Sequence, residues 1–303
     1  MPDSVFETPL TLLGLPFSHA FATADIAVLG IPFDCGIDPT RFGARLGPNA
    51  IRTASTLTAT LLQDSDEPVL ERVIDAGNVK LALDDLAAAF DAIERAMGEL
   101  LDGGCAPLTL GGDGAVSLPQ MRSLCKHHGE VAVLHFDAHT DAWKLKSNDH
   151  YDNATQFTHA VNEGLIDVPN SIHVGIRGPV NAERAIAYAR GLGYEIIPYT
   201  VLREWGEQRL LEHLHERLAG RKVYLCFDMD FFDPSIAPGV ATPTPGGAVA
   251  AEGLALLAGL KGLDVIAADI NTVTPMHDPG GVTASLAASV ATQCLSLLAA
   301  RKR

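Results

Sequence analysis

The chain has 303 residues, with 22 Lys and Arg against 37 Asp and Glu, for a net charge of −15. At 47% apolar and 19% charged residues, it has the balance of a compact fold and not of a disordered chain. The acidity argues against nucleic acid as a partner, because neutralising phosphates takes a basic stripe. The sequence has only the cluster Arg301-Lys302-Arg303, which suits a helix C-terminus.

The first ten residues lack the basic-then-apolar order of a secretory signal. The longest apolar stretch, 284–300, is interrupted by Ser, Thr and Gln, and it is shorter than the roughly 20 residues a spanning helix needs. A cytoplasmic protein is therefore expected. Its five cysteines, without CxxC spacing, are expected to be free thiols. Apolar runs at 26–31, 131–136, 171–176, 223–227 and 265–270 predict strands covered on both faces. Within 81–101, Leu86, Phe90, Ile93 and Met97 recur at helical spacing, and 210–218 and 251–260 read alike. The alternation predicts one α/β domain over 1–303, a doubly wound, mostly parallel sheet with helices on both faces. In such a sheet, ligands sit beyond the C-terminal strand ends.

Two of those ends are acidic. The run 131–136 leads into Asp137-Ala138-His139-Thr140-Asp141, and an extended chain would put Asp137, His139 and Asp141 on one face. Two carboxylates and an imidazole suit a divalent metal; a helix cap or a buried ionic cluster would use the same residues. The run 223–227 leads into Asp228-Met229-Asp230, and Asp228 and Asp230 again share a face. Four carboxylates near one point repel one another. Two divalent cations about 3.5–4 Å apart would relieve that repulsion.

These motifs, taken in order, resemble the ureohydrolase family, which includes arginase and agmatinase. The resemblance rests on Gly30-Ile31-Pro32-Phe33-Asp34, on Gly43-Ala44-Arg45-Leu46-Gly47-Pro48, on the glycine loop Leu110-Gly111-Gly112-Asp113 and on the two acidic motifs through Pro243. It implies an arginase-like three-layer fold. It also implies a binuclear manganese or nickel centre that hydrolyses a guanidinium group, releasing urea or a related product. The implied metal ligands are Asp137, His139, Asp141, Asp228 and Asp230.

Three positions depart from the family pattern. Gly114 stands where the glycine loop normally ends in a histidine ligand to the first metal. A glycine could serve a tight turn there, but it offers no ligating side chain. Asn153 stands where a histidine works near the substrate, and Asn cannot shuttle a proton near neutral pH. Thr272 stands where a glutamate pairs with the guanidinium, and a hydroxyl cannot make that bidentate contact. Nearby histidines that could be recruited are His135, His150, His159 and His277. His277 is expected to be the best placed, His150 and His159 are expected at the surface, and His135 is expected to point into the sheet.

The pattern resembles the residue-poor subunit of a heteromeric ureohydrolase such as the nickel-dependent metformin hydrolase. It implies a catalytic paralogous partner, a hexamer, and a nickel or manganese ion held chiefly by that partner. Two alternatives stand beside it: a self-sufficient hydrolase with an altered metal site, and a module that binds a guanidine-like ligand without turnover. Specificity is expected from loops 36–45 and 142–158.

Overall fold

The computed structural model describes residues 9–35, 41–58, 71–82, 84–147, 150–178 and 182–301. Most of the opening segment, the end of the basic cluster and parts of loops 36–45 and 142–158 lie outside the described residues.

Eight parallel strands form one sheet: β1 (Ile26–Gly30), β2 (Val73–Asn78), β3 (Ala106–Leu110), β4 (Ala132–Phe136), β5 (Ile172–Ile176), β6 (Glu195–Pro198), β7 (Lys222–Asp228) and β8 (Asp264–Asn271). Their order is β2-β1-β3-β8-β7-β4-β5-β6. The five expected strands are present within a residue or two at most ends. The unexpected β2 and β6 are the two edges, and β3 carries Pro107 and Thr109. Proline survives in this inner strand because β3 pairs with β8 only over Leu108–Leu110, so the missing N–H breaks no bond on that side.

Helices cover both faces, as expected. α1 (Gly47–Ser55), α6 (Tyr199–Leu218, broken at Gly206), α7 (Ala250–Gly259) and α8 (Val282–Ala299) share one core. α2 (Leu86–Asp102), α3 (Ser117–His128), α4 (Gln156–Asn162) and α5 (Ala182–Leu192) cover the other face. Strand residues alternate between the two cores: Val223, Leu225 and Phe227 belong to the first, Tyr224 and Cys226 to the second. Each such buried large side chain contributes about 1.5–3 kcal/mol.

The first predicted helix starts five residues late, because Asp85 caps it by accepting from Ala88 N at 3.0 Å. The segment Pro279–Ala299 is long and apolar enough to cross a membrane, longer than the stretch read from the sequence. Here α8 packs against α1, α7 and β8. All five cysteines are free.

The order leaves β3, β8, β7 and β4 side by side at the centre. Their C-terminal ends carry Gly111–Gly114, Thr272, Asp228–Asp230 and Asp137–Asp141, and this is where such sheets place ligands.

Candidate metal centre

The chain does not stay extended past β4. His139 N turns back to Asp137 Oδ1 at 2.5 Å, and Asp141 adopts a left-handed backbone at φ 47°. After β7, Asp230 N likewise donates to Asp228 Oδ1 at 2.7 Å. The carboxylates converge through these turns and not through strand alternation.

His139 joins the two motifs. Its Nδ1 lies 3.2 Å from Asp137 Oδ1 and 3.0 Å from Asp230 Oδ2, and its Nε2 meets Thr244 Oγ1 at 3.1 Å. Burial disfavours a charged ring, but Asp230 and Asp137 outweigh it and hold His139 well above its ordinary value. Burial also raises the acids. Asp230 is pushed up to about 6 by burial and by Asp137, despite His139. Asp141 and Asp228 rise well above the usual carboxylate range through burial and the neighbouring carboxylates.

The loop after β7 is braced by Arg177, which sequence reasoning missed. Its Nη2 donates to the carbonyls of Asp230 at 2.7 Å, Phe232 at 3.1 Å and Thr244 at 2.7 Å.

His135 corrects an expectation. It lies two residues before Asp137, so it shares that face, and its Nε2 sits 3.0 Å from Asp137 Oδ2. Its Nδ1 meets His173 Nδ1 at 2.9 Å. Burial pushes His135 down to about 3 and His173 well below its ordinary value, so both rings are neutral. A neutral ring has one N–H. In the tautomer that gives His135 Nε2–H to Asp137, His173 Nδ1 donates to His135, and His173 Nε2 is without a partner beside the rings of Phe157 and Tyr194. That tautomer positions the carboxylate, and a ring nitrogen of His135 and carboxylate oxygens of Asp137 and Asp141 also lie within 4.8 Å of one another.

The other histidines lie elsewhere. His150 pairs with Asp152 at 2.7 Å. His159, expected at the surface, is buried, stacked on Tyr151 and bonded to the His150 carbonyl at 2.8 Å. His277 lies half-buried in the turn Pro275–His277, outside the two carboxylate–imidazole groups found among the described residues, His135–Asp137–Asp141 and Asp137–His139–Asp230.

The three departures sit in or against the cluster. Thr272, on a left-handed backbone, donates Oγ1 to Asp228 Oδ1 at 2.6 Å. Gln156, which drew no notice in the sequence, donates Nε2 to Asp141 Oδ2 at 2.6 Å. Asn153 leaves a buried Oδ1 unpartnered, and its carbonyl oxygen lies 3.2 Å from where a Gly114 Cβ would be.

One divalent cation fits this donor set. Asp137, His139 and Asp230 aim carboxylate oxygens and an imidazole nitrogen within 4.8 Å of one another, donors that suit manganese and nickel alike. For a second cation Gly114 offers no ligand, while Asp141 and Asp228 each give one oxygen to a neutral donor and keep further acceptor sites.

The comparisons agree with this architecture. The arginase family model matches residues 24–296. The chain is 33% identical over 287 residues to proclavaminate amidinohydrolase of Streptomyces clavuligerus, covering 94% of this chain and 91% of that protein. It is 35% identical over 294 residues to an agmatinase of Edwardsiella ictaluri, covering 96% and 93%. The solved structure of proclavaminate amidinohydrolase from Streptomyces clavuligerus matches with a TM-score of 0.91 and 31% identity, over 99% of this chain and 100% of that one. The chain belongs to the arginase family.

Proposed function

We propose that this chain is the catalytically depleted subunit of a heteromeric amidinohydrolase, supporting a paralogous subunit that carries the complete centre. One observation carries the reading: Asp141 and Asp228 are each held at 2.6 Å by a neutral donor, Gln156 and Thr272. Each bond occupies one carboxylate oxygen and competes with a cation for it, and Gly114 adds no ligand in exchange. Asn153 cannot exchange a proton near neutral pH, and Thr272 cannot pair with a guanidinium. The likeness to an amidinohydrolase and to agmatinases supports C–N cleavage of a guanidine; we extend this to a biguanide, as in a metformin hydrolase-like complex.

The assembly is a cytoplasmic hexamer whose nickel or manganese resides chiefly in the partner. When bound, such an ion supplies Lewis-acid polarisation. In this chain Asp137, His139 and Asp230 would hold it. The two carboxylate–imidazole groups support a second reading, a self-sufficient agmatinase-like or guanidinobutyrase-like binuclear metal hydrolase with an altered metal site.

The test is product release, urea from agmatine and 4-guanidinobutyrate and urea or dimethylamine from metformin, with the chain purified alone and with a histidine-bearing paralogue. The expected result is no release alone and release from the mixture. Turnover by the chain alone would establish the second reading instead.

A further inference from the structure

Gly114 opens the turn Gly114–Val116, and its backbone is not in the left-handed region that calls for glycine. What the absent side chain leaves is space. A Cβ at 114 would lie 2.7 Å from Gln156 Nε2 and 3.1 Å from Asp141 Oδ2. The first of these distances is too short for a real contact, so Gln156 would have to move. Gln156 is 1% exposed and is the first residue of α4. The next residue, Phe157, donates its backbone N–H to the Asp141 carbonyl at 3.1 Å. Asp141 is thus clasped twice by consecutive residues. Gln156 Oε1 is buried without a partner, so the amide is aimed at this cluster by its nitrogen alone.

We propose that Gln156 plugs the first cation position by binding Asp141, so that this chain holds one divalent cation, among Asp137, His139 and Asp230, and not two. The proposal rests on reading the cluster as the family's metal centre, but not on a catalytic partner. A histidine at 114 and the Gln156 amide compete for the same volume. The amide nitrogen is the free end of its side chain, so it is the 2.6 Å bond to Asp141 that has to hold Gln156 in place against a restored histidine.

The experiment loads the full chain with Mn2+ and counts bound metal by plasma mass spectrometry. Low-temperature electron paramagnetic resonance then separates isolated from exchange-coupled ions. The expected results are one uncoupled Mn2+ per chain in the native protein, still one in Gly114→His, and a coupled pair in Gly114→His with Gln156→Ala. Two ions in the native chain, two in Gly114→His alone, or one in the double variant would each overturn the plug.

A second measurement does not depend on the double variant folding. In the 15N-labelled chain, one side-chain amide pair, identified by its loss in Gln156→Ala, is expected to exchange slowly and to persist with one equivalent of Zn2+. Its displacement by Zn2+ would overturn the proposal. Failure of the native chain to bind any metal would overturn it together with the metal-centre reading. Catalytic depletion, judged by product release, would still stand.

Discussion

Thr272 reaches Asp228 across 2.6 Å from a backbone at φ 67°, a conformation that β-branched residues rarely adopt. The strain costs of order 1–3 kcal/mol and persists because the surroundings fix the residue. Its N–H donates to the Gly112 carbonyl at 2.9 Å, and its carbonyl accepts from Thr274 Oγ1 at 3.0 Å. Thr272→Val keeps the strain and removes the hydroxyl, leaving a buried acceptor short of a donor. It should lower unfolding stability by about 1–3 kcal/mol. Thr272→Ser keeps the hydroxyl and sheds the branch, so it should equal or exceed the native stability in denaturant titrations. Equal midpoints for Val and native chains would show that the hydrogen bond contributes nothing.

A second test concerns the fold beneath the site. Arg52 makes a fork with Asp75, Nε to Oδ2 and Nη2 to Oδ1, both at 2.8 Å, and both side chains are almost fully buried. Asp75 also accepts from Leu12 N at 2.8 Å, which ties the N-terminal segment to β2. Removing one partner of a buried pair strands the other charge. Arg52→Ala should therefore cost about 3–5 kcal/mol in chemical denaturation. Lysine lacks the fork, so Arg52→Lys should fall between the two. A loss below about 1 kcal/mol for Arg52→Ala would contradict this account of the pair.

The third test is a pH profile. Asp113 is buried beside the glycine loop and accepts from Cys35 N at 2.6 Å and Ala115 N at 3.1 Å. Burial pushes its carboxyl up to about 6, from an ordinary value of 3.8. The folded chain therefore holds this proton more tightly than the unfolded chain. The resulting stabilisation is complete below the unfolded value and is lost as pH rises towards about 6. Asp113→Asn keeps an acceptor and removes the titration. The stability of the native chain relative to the variant should decline with rising pH across that window, then level off. Parallel profiles would contradict the shift.

What was legible in the sequence follows from burial. β1, β4, β5, β7 and β8 are covered on both faces and read as mostly continuous apolar runs. The edges β2 and β6 mix Asp, Asn or Glu with apolar residues, and β3 hides behind Pro107. The two acidic motifs stood out because carboxylates at strand ends are chemically conspicuous. His135 was misplaced by one step of strand parity. Gln156 carried no signal, since glutamine at a helix start is ordinary. Its role exists only where the helix start meets Gly114 and Asp141 in space. The turns at Asp137 and Asp228 were equally hidden, being local side-chain-to-backbone bonds that end the extended chain.

If this chain supports an amidinohydrolase centre that it does not complete, it must assemble with the subunit that does. Native mass spectrometry of the chain co-expressed with a histidine-bearing paralogue decides this, because one spectrum gives both subunit composition and metals per subunit. The expected spectrum is a mixed assembly with two metals on each paralogue and at most one on this chain. A homo-oligomer of this chain carrying two metals per subunit would contradict it.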